Sequence, residues 1–371
     1  MTLTRGARIT GAALCGVLAL ITGAWIVRDV SLADGLDGFW RHGASGPRWG
    51  FGPPTQATAP LDGALLAVYA GTAVAVLRSS VAASALLATA VFTFAVRMPS
   101  LWVLTASSAY PDVPGSVRTR ALLSTFAVLG LAVGLVITAV AGRRPPEAAA
   151  CAPAPLRPTA PVAWLAGPLL LLGAAVTTAW QIHFGYRVGP DAYVDTVAGG
   201  EQFAHRLLAP PPGWLAATVV ILCLTAGIGL LTGAVFARPL GAVLAANILA
   251  SGAVGVDLAV RTRIPQYVES APLEYRLTVV TAFFELIAGV VLLVLLMRRG
   301  ESGPADGPWP GGANRPPPGY GHPPAGGGHG YPPAAPGYGC PQPSGGRGHP
   351  QGPPPAGGFG PPPPSSPPPN W

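Results

Sequence analysis

The sequence predicts an all-α membrane protein with eight transmembrane helices and a disordered C-terminal tail. Half of its 371 residues are apolar and only 10% are charged, whereas a soluble domain carries about 25% charged residues. A helix needs about 20 apolar residues to cross a hydrocarbon core, and several runs approach or exceed that length. These runs lack the two-residue alternation of a β-strand, so helices are expected to satisfy their backbone groups in lipid.

Eight apolar runs define the predicted spans. They lie near residues 9–27, 61–77, 81–96, 121–141, 162–181, 214–236, 239–258 and 277–297. The first run follows Arg5 and Arg8, as in a secretory signal. It is nevertheless long enough to span the membrane, and no small-residue cleavage site follows it, so we expect an uncleaved first helix.

The basic residues, all 22 of which are Arg, set the predicted orientation. They are densest at the N-terminus, in two tiny loops after the second and sixth spans, in the linker 142–161, and at Arg298-Arg299. The longer segments 28–60, 97–120, 182–213 and 257–276 hold most of the acids. Cytoplasmic segments are enriched in basic residues, so we expect a plasma-membrane protein with both termini in the cytoplasm.

The two halves of the membrane region resemble copies of one four-helix unit. We predict a first repeat at 1–145, a linker at 146–161, a second repeat at 162–300 and the tail at 301–371. Four helices per copy place both copies in parallel, related by an axis along the membrane normal. The matching features occur in the same order: Trp25 and Trp180, Ala59-Pro60 and Ala209-Pro210, Ala95-Val96-Arg97 and Ala259-Val260-Arg261, Arg120 and Arg276, Arg143-Arg144 and Arg298-Arg299.

Glu285 is the first candidate for intramembrane chemistry. It lies in the middle of the eighth predicted span, where a charged carboxylate costs about 2.5–3.5 kcal/mol on insertion scales. Such an acid usually faces the interior of the bundle and marks a proton or ion path. The alternative is a protonated side chain hydrogen-bonded within the bundle, for example to Thr281. The first copy has Leu129 at this position, so the acid belongs to the second copy only.

Asp257 is the second intramembrane acid, at the outer end of the seventh span. It lies four residues before Arg261, a spacing that favours an ion pair on one helix face. We therefore expect a local pair in preference to a functional site. The counterpart in the first copy is Thr93, which is uncharged.

The long segments between spans contain further carboxylates and histidines. Carboxylates can hold a hard cation, but EF-hand spacing and the His-Glu-x-x-His motif are absent. Leu32, Leu36, Phe39 and Trp40 have helical spacing and predict a surface helix at the headgroups. No metal or cofactor is predicted from this set: Asp34, Asp37, His42, Asp191, Asp195, Glu201 and His205.

Two glycine pairs, Gly130 with Gly134 and Gly229 with Gly233, have the spacing that lets helices approach closely. Such pairs serve packing within one bundle as readily as dimerisation, so the oligomeric state stays open.

Several classes of function are disfavoured. The Arg residues behind the net charge of +7 are scattered between apolar runs, so no basic face for nucleic acid is expected. The Walker loop, the Gly-x-Ser-x-Gly motif and the kinase motifs are absent. No cysteine falls in a segment assigned to the outside, so no disulfide is expected; the cysteines are Cys15, Cys151, Cys223 and Cys340.

The tail, residues 301–371, contains 24 prolines and 19 glycines. Such a composition cannot bury enough apolar surface to offset the entropy of ordering, so disorder is expected. Polyproline segments bind aromatic-lined grooves, and Pro317-Pro318-Gly319-Tyr320 fits a WW-type ligand. The tail is therefore either a flexible spacer or a docking segment for a cytoplasmic protein.

The chain resembles uncharacterised multi-pass membrane proteins of high-GC Gram-positive bacteria that carry Pro/Gly/Tyr-rich cytoplasmic tails. The resemblance rests on the Arg-only basic charge, the apolar spans and the passage from Pro316 to Pro341. It implies a multi-pass membrane fold and carries over no functional residue.

Two functional hypotheses follow from the sequence. The first is a non-enzymatic membrane protein whose tail docks partners. The second is a secondary transporter or channel-like protein that works at the interface between the copies, with Glu285 as a coupling acid. A membrane-embedded enzyme is a third possibility, but the sequence lacks a convergent cluster of His, Asp or Ser residues.

Overall fold

The computed structural model describes residues 3–44, 56–78, 82–105, 113–143, 159–200, 206–263 and 271–298. Within these ranges, eight helical segments are long and apolar enough to cross a membrane, with α5 continuing the span begun by α4. The chain is therefore a multi-pass integral membrane protein. Its helices are α1 Arg5–Leu32, α2 Leu36–Ala44, α3 Pro60–Arg78, α4 Ala82–Arg97, α5 Ser100–Thr105, α6 Gly115–Ala141, α7 Ala160–Val188, α8 Pro190–Ala198, α9 Pro212–Leu231, α10 Ala237–Arg261 and α11 Leu273–Met297.

Each predicted span is confirmed as a helix, but several helices extend beyond the apolar run that revealed them. Helix α1 continues to Leu32 and α7 to Val188, each by several residues that include charged side chains. Polar termini are expected where a helix leaves the hydrocarbon for the headgroups. Hydropathy marks the apolar run, so it underestimates helices that end in polar turns.

The sixth span is shorter than predicted. Helix α9 ends at Leu231, where the prediction ran to residue 236. Gly233 adopts a left-handed φ of +73° in the connection to α10, a conformation that glycine tolerates without strain. The apolar residues that follow belong to this turn, and hydropathy could not separate them from the helix.

The predicted surface helix is present as α2, Leu36–Ala44. Phe39 is buried on it, whereas Leu36 is 73% exposed. Its exposed acid, Asp37, pairs with Arg41 one turn later.

Helices pack in the same pairwise order in the two halves. In the first half, α1 packs on α3 and α6, while α4 packs on α3 and α6. In the second half, α7 packs on α9 and α11, while α10 packs on α9 and α11. Each half is thus a closed ring of four helices, and α10 joins the halves by packing on α3 and α4.

In each ring, one indole hydrogen bond joins the first helix to the fourth. Trp25 Nε1 donates to Ser124 Oγ at 3.1 Å, and Trp180 Nε1 donates to Thr281 Oγ1 at 3.0 Å. Trp25 and Trp180 are matching positions in the predicted repeat. The parallel contacts accord with duplication, which itself stays a prediction from the sequence.

The connecting segments before α3 and α9 lie on one side of the bundle, which we call the loop side. The Leu208 amide donates to the Ala57 carbonyl at 2.9 Å. On the opposite side, the Thr4 amide donates to the Gly142 carbonyl at 2.9 Å. Residues near 57 and 208 therefore share a side, as an even number of helices per copy requires.

Candidate functional site: a cavity with a carboxyl group at mid-span

A cavity of about 360 Å³ lies inside the ring formed by α7, α9, α10 and α11. This volume is typical of small-molecule pockets. It begins on the loop side near Ala59 and Pro212 and reaches the middle of the spans near Cys223 and Ala288. The first half contributes only the start of α3 and the residue before it, so the cavity is not centred between the copies as the sequence hypothesis placed it.

Glu285 forms part of the cavity wall. It is the midpoint of α11, which runs from Leu273 to Met297, so it lines the cavity at the middle of this span. Ser251 on α10 lies next to this carboxyl group and also lines the cavity. Thr281, the partner considered from the sequence, instead accepts the Trp180 indole bond.

The rest of the cavity wall is mainly apolar and built from small side chains. Asn247, Ser251 and Thr177 add uncharged polar groups. Small residues such as Gly173, Ala216 and Ala250 leave the interior of the ring open. A small number of polar groups within an apolar wall is the usual composition of a ligand site.

The first ring is filled where the second is open. Leu18, Tyr69 and Leu86 are each at most 1% exposed in its core. Aligning the two halves by their matching features pairs each of these side chains with a smaller residue of the cavity wall. The pairs are Leu18 with Gly173, Tyr69 with Val219 and Leu86 with Ala250.

Two glycines bring α10 and α11 together beside Glu285. A Cβ added at Gly252 would lie 2.2 Å from the Leu286 nitrogen and 2.7 Å from the Glu285 carbonyl carbon. A Cβ at Gly289 would lie 2.6 Å from the Leu249 Cα. Both clashes involve backbone atoms, so only glycine permits this approach and the resulting position of the carboxyl group.

On the loop side, a buried polar cluster holds the segment 56–62 that borders the cavity. Asp29 is 1% exposed and its Oδ2 accepts from the Thr58 amide at 2.6 Å, the Thr58 hydroxyl at 2.7 Å and the Ala57 amide at 2.9 Å. Its Oδ1 pairs with Arg28 at 2.7 Å. The carboxylate thus orders the chain that enters α3, including Ala59 at the cavity entrance.

Asp62 and Arg97 continue this cluster and connect the two halves. They form a buried ion pair between α3 and α4, and Asp62 Oδ2 also accepts from the Ala59 amide at 2.7 Å. The second guanidinium nitrogen of Arg97 donates to the Leu208 carbonyl at 2.5 Å. One arginine therefore holds the α3 entrance and the segment before α9 in place.

Arg206 borders the cavity on the same side. Burial lowers the pKa of its guanidinium, while the nearby carboxylates of Asp62 and Asp29 act in the opposite direction. Arginine remains charged at physiological pH, so the entrance combines three cations, Arg28, Arg97 and Arg206, with the two acids Asp29 and Asp62.

These contacts define a cavity that has a structured polar entrance and a single acid at mid-depth. No known protein family, curated protein or solved structure matches this chain.

Asp257 lies outside this cavity. Its Oδ2 is 2.7 Å from Arg261 Nε, which is the local pair that the spacing predicts. The contact is ionic and lacks hydrogen-bond geometry. The structure therefore separates the two candidate acids: Glu285 lines the cavity, and Asp257 is held on the surface of its own helix.

The other candidates divide between described and undescribed residues. Among the residues that the structure describes, no group of three His, Cys, Asp or Glu side chains is arranged to hold a metal. Cys15 and Cys223 are buried free thiols. The remaining candidates lie outside the described residues or side chains: His42, Cys151, Glu201, His205, Pro317, Pro318, Tyr320 and Cys340.

Gly130 does not serve close helix approach, because a Cβ there would meet nothing within 4 Å. A Cβ at Gly134 would make only an ordinary contact with Leu14, at 3.5 Å. Gly229 lies against the turn to α10, where a Cβ would come within 2.9 Å of Ala237. Close approach between helices instead involves Gly252 and Gly289 on α10 and α11, and Gly167 and Gly227 on α7 and α9.

The sequence does not indicate that Asp62, Arg97 and Arg206 belong to one cluster. They lie in different connections and helix ends, and nothing in their spacing joins them. Their shared signal is position: each is a charged residue close to the loop-side end of a span. Asn247 and Ser251 were missed because single polar residues within apolar helices are common.

Proposed function

We propose that this protein is a non-enzymatic membrane carrier that takes a small solute into the cavity of its second ring. Glu285 is the group that holds the solute or its coupling ion. The observation that carries this proposal is the location of Glu285 in the cavity wall, at the middle of the membrane. An acid at this depth is costly, and a ligand or proton that neutralises it offsets that cost.

The two rings have different roles in this proposal. The first is a filled scaffold whose polar cluster holds the cavity entrance, and the second provides the site. Both termini are placed in the cytoplasm of a plasma-membrane protein, so the loop side and the cavity entrance face outward. This orientation rests on the distribution of Arg along the sequence.

Docking of a cytoplasmic protein by the tail is a second function compatible with the first. It rests on the polyproline segments and on the pattern Pro317-Pro318-Gly319-Tyr320. The tail lies outside the described residues, so this function stays a prediction from the sequence.

The carrier proposal is tested by flux into proteoliposomes loaded with the pH indicator pyranine. Small cationic, neutral and anionic amphiphiles are added outside, one at a time, and the internal pH is followed. We expect at least one solute class to change the internal pH with the wild-type protein and to fail with Glu285→Gln. The neutral variant keeps the size of the side chain but cannot carry a charge or release a proton.

The matched control is Glu274→Gln, which changes an acid on the same helix outside the cavity wall. Glu274 pairs with Arg187 at 2.6 Å on an exposed surface, so its loss is expected to leave flux intact. Insertion of both variants is checked by extraction and size-exclusion chromatography. Wild-type flux in Glu285→Gln for every active solute would contradict the carrier proposal.

A further inference from the structure

The deep part of the cavity combines an apolar wall with one ionisable oxygen acid. Leu169, Val219 and Ile248 supply the apolar surface, and Asn247 with Ser251 supplies neutral polar groups beside Glu285. In a site of low polarity, the ionised carboxylate attracts a positive charge far more strongly than it would in water. Glu285 therefore determines the charge of the solute that this cavity selects.

Among the described side chains, Glu285 forms no ion pair with a basic residue. The ion pairs that are present involve other acids. Arg206 borders the cavity at its entrance, close to Asp62 and Asp29. The positive charge of the entrance is thus accompanied by negative charge, whereas the acid at mid-depth is accompanied by hydroxyl and amide groups. A cation that reaches this depth provides the missing counter-charge.

We infer that the cavity binds a hydrophobic organic cation, in which an ammonium or phosphonium centre pairs with Glu285 and apolar groups contact the wall. This inference rests on the proposed carrier function and adds the chemical class of its solute. An anion of the same size would be repelled by the ionised carboxylate and would gain no ion pair from the protonated one. A neutral solute would displace no proton and would form no ion pair with Glu285.

Binding of the cation exchanges one positive species for another. In the empty cavity the carboxyl group holds a proton, which avoids the cost of an isolated buried charge. When the cation enters, the O–H bond of Glu285 breaks, the proton leaves to water on the loop side, and the carboxylate pairs with the cation. The net charge of the cavity is the same before and after exchange, so no uncompensated charge stays in the membrane.

Other ionisable groups near this exchange are few and are placed apart from it. Cys223 on α9 and Arg206 at the entrance also line the cavity. Asp62 in the first turn of α3 is paired with Arg97. His183 on α7 lies 3.7 Å from Glu274 of α11 on an exposed surface. Asp257 on α10 pairs with Arg261. Proton release is therefore attributed to Glu285 only if the release is lost in the Glu285→Gln variant.

The test uses two probes of matched shape and opposite charge, tetraphenylphosphonium and tetraphenylborate. Equilibrium binding of each radiolabelled ion to the full chain is measured in detergent, and proton release is measured in weakly buffered solution. We expect tetraphenylphosphonium to bind with release of a proton and tetraphenylborate not to bind. In Glu285→Gln, cation affinity should fall roughly tenfold or more, as expected when one partner of a desolvated charge pair is removed.

Three variants separate the failure of this inference from the failure of the carrier proposal. Ala250→Leu introduces the side chain that the first ring has at the matching position, and it should abolish binding by filling the cavity. Glu285→Asp keeps the charge and should retain weaker, proton-linked binding, which excludes misfolding as the cause of the loss in Glu285→Gln. Glu274→Gln should bind as the wild type does.

Cation binding that is lost in Ala250→Leu but unchanged in Glu285→Gln would overturn the charge-pairing inference and keep the cavity as a binding site. Equal binding of the two probe ions would overturn it in the same way. Cation binding that is unchanged in both variants would overturn the inference and the cavity site together.

Discussion

At the residue scale, Asp62 and Arg97 illustrate why buried charges in this protein occur in pairs. Arg97 is 4% exposed and Asp62 is 1% exposed, and each satisfies the other across two helices. Removal of one partner leaves the other buried without a counter-charge, which is far costlier than loss of a surface pair. The pair also fixes the Leu208 carbonyl, so its loss would loosen the contact between the halves.

Asp62→Asn is predicted to destabilise the protein by roughly 3–5 kcal/mol, because the Arg97 guanidinium loses its buried counter-charge. Unfolding in detergent micelles, followed by helical circular dichroism as temperature or SDS is raised, measures this loss. The matched control is Asp37→Asn, which breaks an exposed pair with Arg41 and should cost about 0–1 kcal/mol. Equal effects of the two substitutions would contradict the assigned role of the buried pair.

The sequence identified Glu285 because a carboxylate in the middle of an apolar span is conspicuous by itself. It could not identify the neighbours of Glu285, since Ser251 and Asn247 lie on another helix and are ordinary residues in their own segments. It also could not assign Asp29, which looked like one of many loop acids. Three of the groups that hold its carboxylate, from Ala57 and Thr58, come close only after the segment before α3 has packed on α1.

At the scale of the elements, α10 and α11 set the position of the candidate site. Their backbones approach closely at Gly252 and Gly289, and the extensive contact between them fixes the rotation of α11 that turns Glu285 toward the cavity. Hydropathy predicted both helices, but it gave no information about this rotation. The four-residue spacing of Gly130 and Gly134 predicted a close helix contact, but no such contact exists at Gly130. Glycine is so frequent in this chain that the spacing is weak evidence.

Gly252→Ala is predicted to destabilise the α10–α11 pair and to weaken solute binding. The added Cβ would lie 2.2 Å from the backbone nitrogen of Leu286, so the helices must separate and move the neighbouring Glu285. Unfolding in detergent and tetraphenylphosphonium binding measure the two effects.

Gly130→Ala serves as the control for this substitution, because a Cβ at Gly130 meets nothing within 4 Å. It should leave binding unchanged and stabilise α6 by up to about 1 kcal/mol through helix propensity. If Gly252→Ala behaved as Gly130→Ala does, the close approach of α10 and α11 would not be what positions Glu285.

At the scale of the whole molecule, the sequence predicted the number of helices and their order along the chain. Both follow from the length of apolar runs and from the cost of unsatisfied backbone groups in lipid. Each half closes into a ring of four helices, while the duplication itself stays a prediction from the sequence. What the sequence did not predict is the difference between the rings, since an empty interior depends on the combined size of side chains from four helices.

In the proposed function, the second ring encloses a cavity that water-soluble molecules reach from the loop side. At the positions that the predicted repeat matches, the second ring has smaller residues than those that fill the first ring, and it has Glu285 where the first has Leu129. This account requires Ser251 to be accessible from water although it lies at the depth of the membrane centre.

The most direct measurement is thiol labelling of Ser251→Cys in a background where the four native cysteines are replaced by alanine. The matched control is Ile287→Cys, because Ile287 is 61% exposed on the outer surface of α11, two residues from Glu285. A charged methanethiosulfonate reagent is applied to vesicles of each orientation. The account predicts modification of Ser251→Cys from the loop side only and no modification of Ile287→Cys; equal reactivity at the two positions, or none at either, would contradict it.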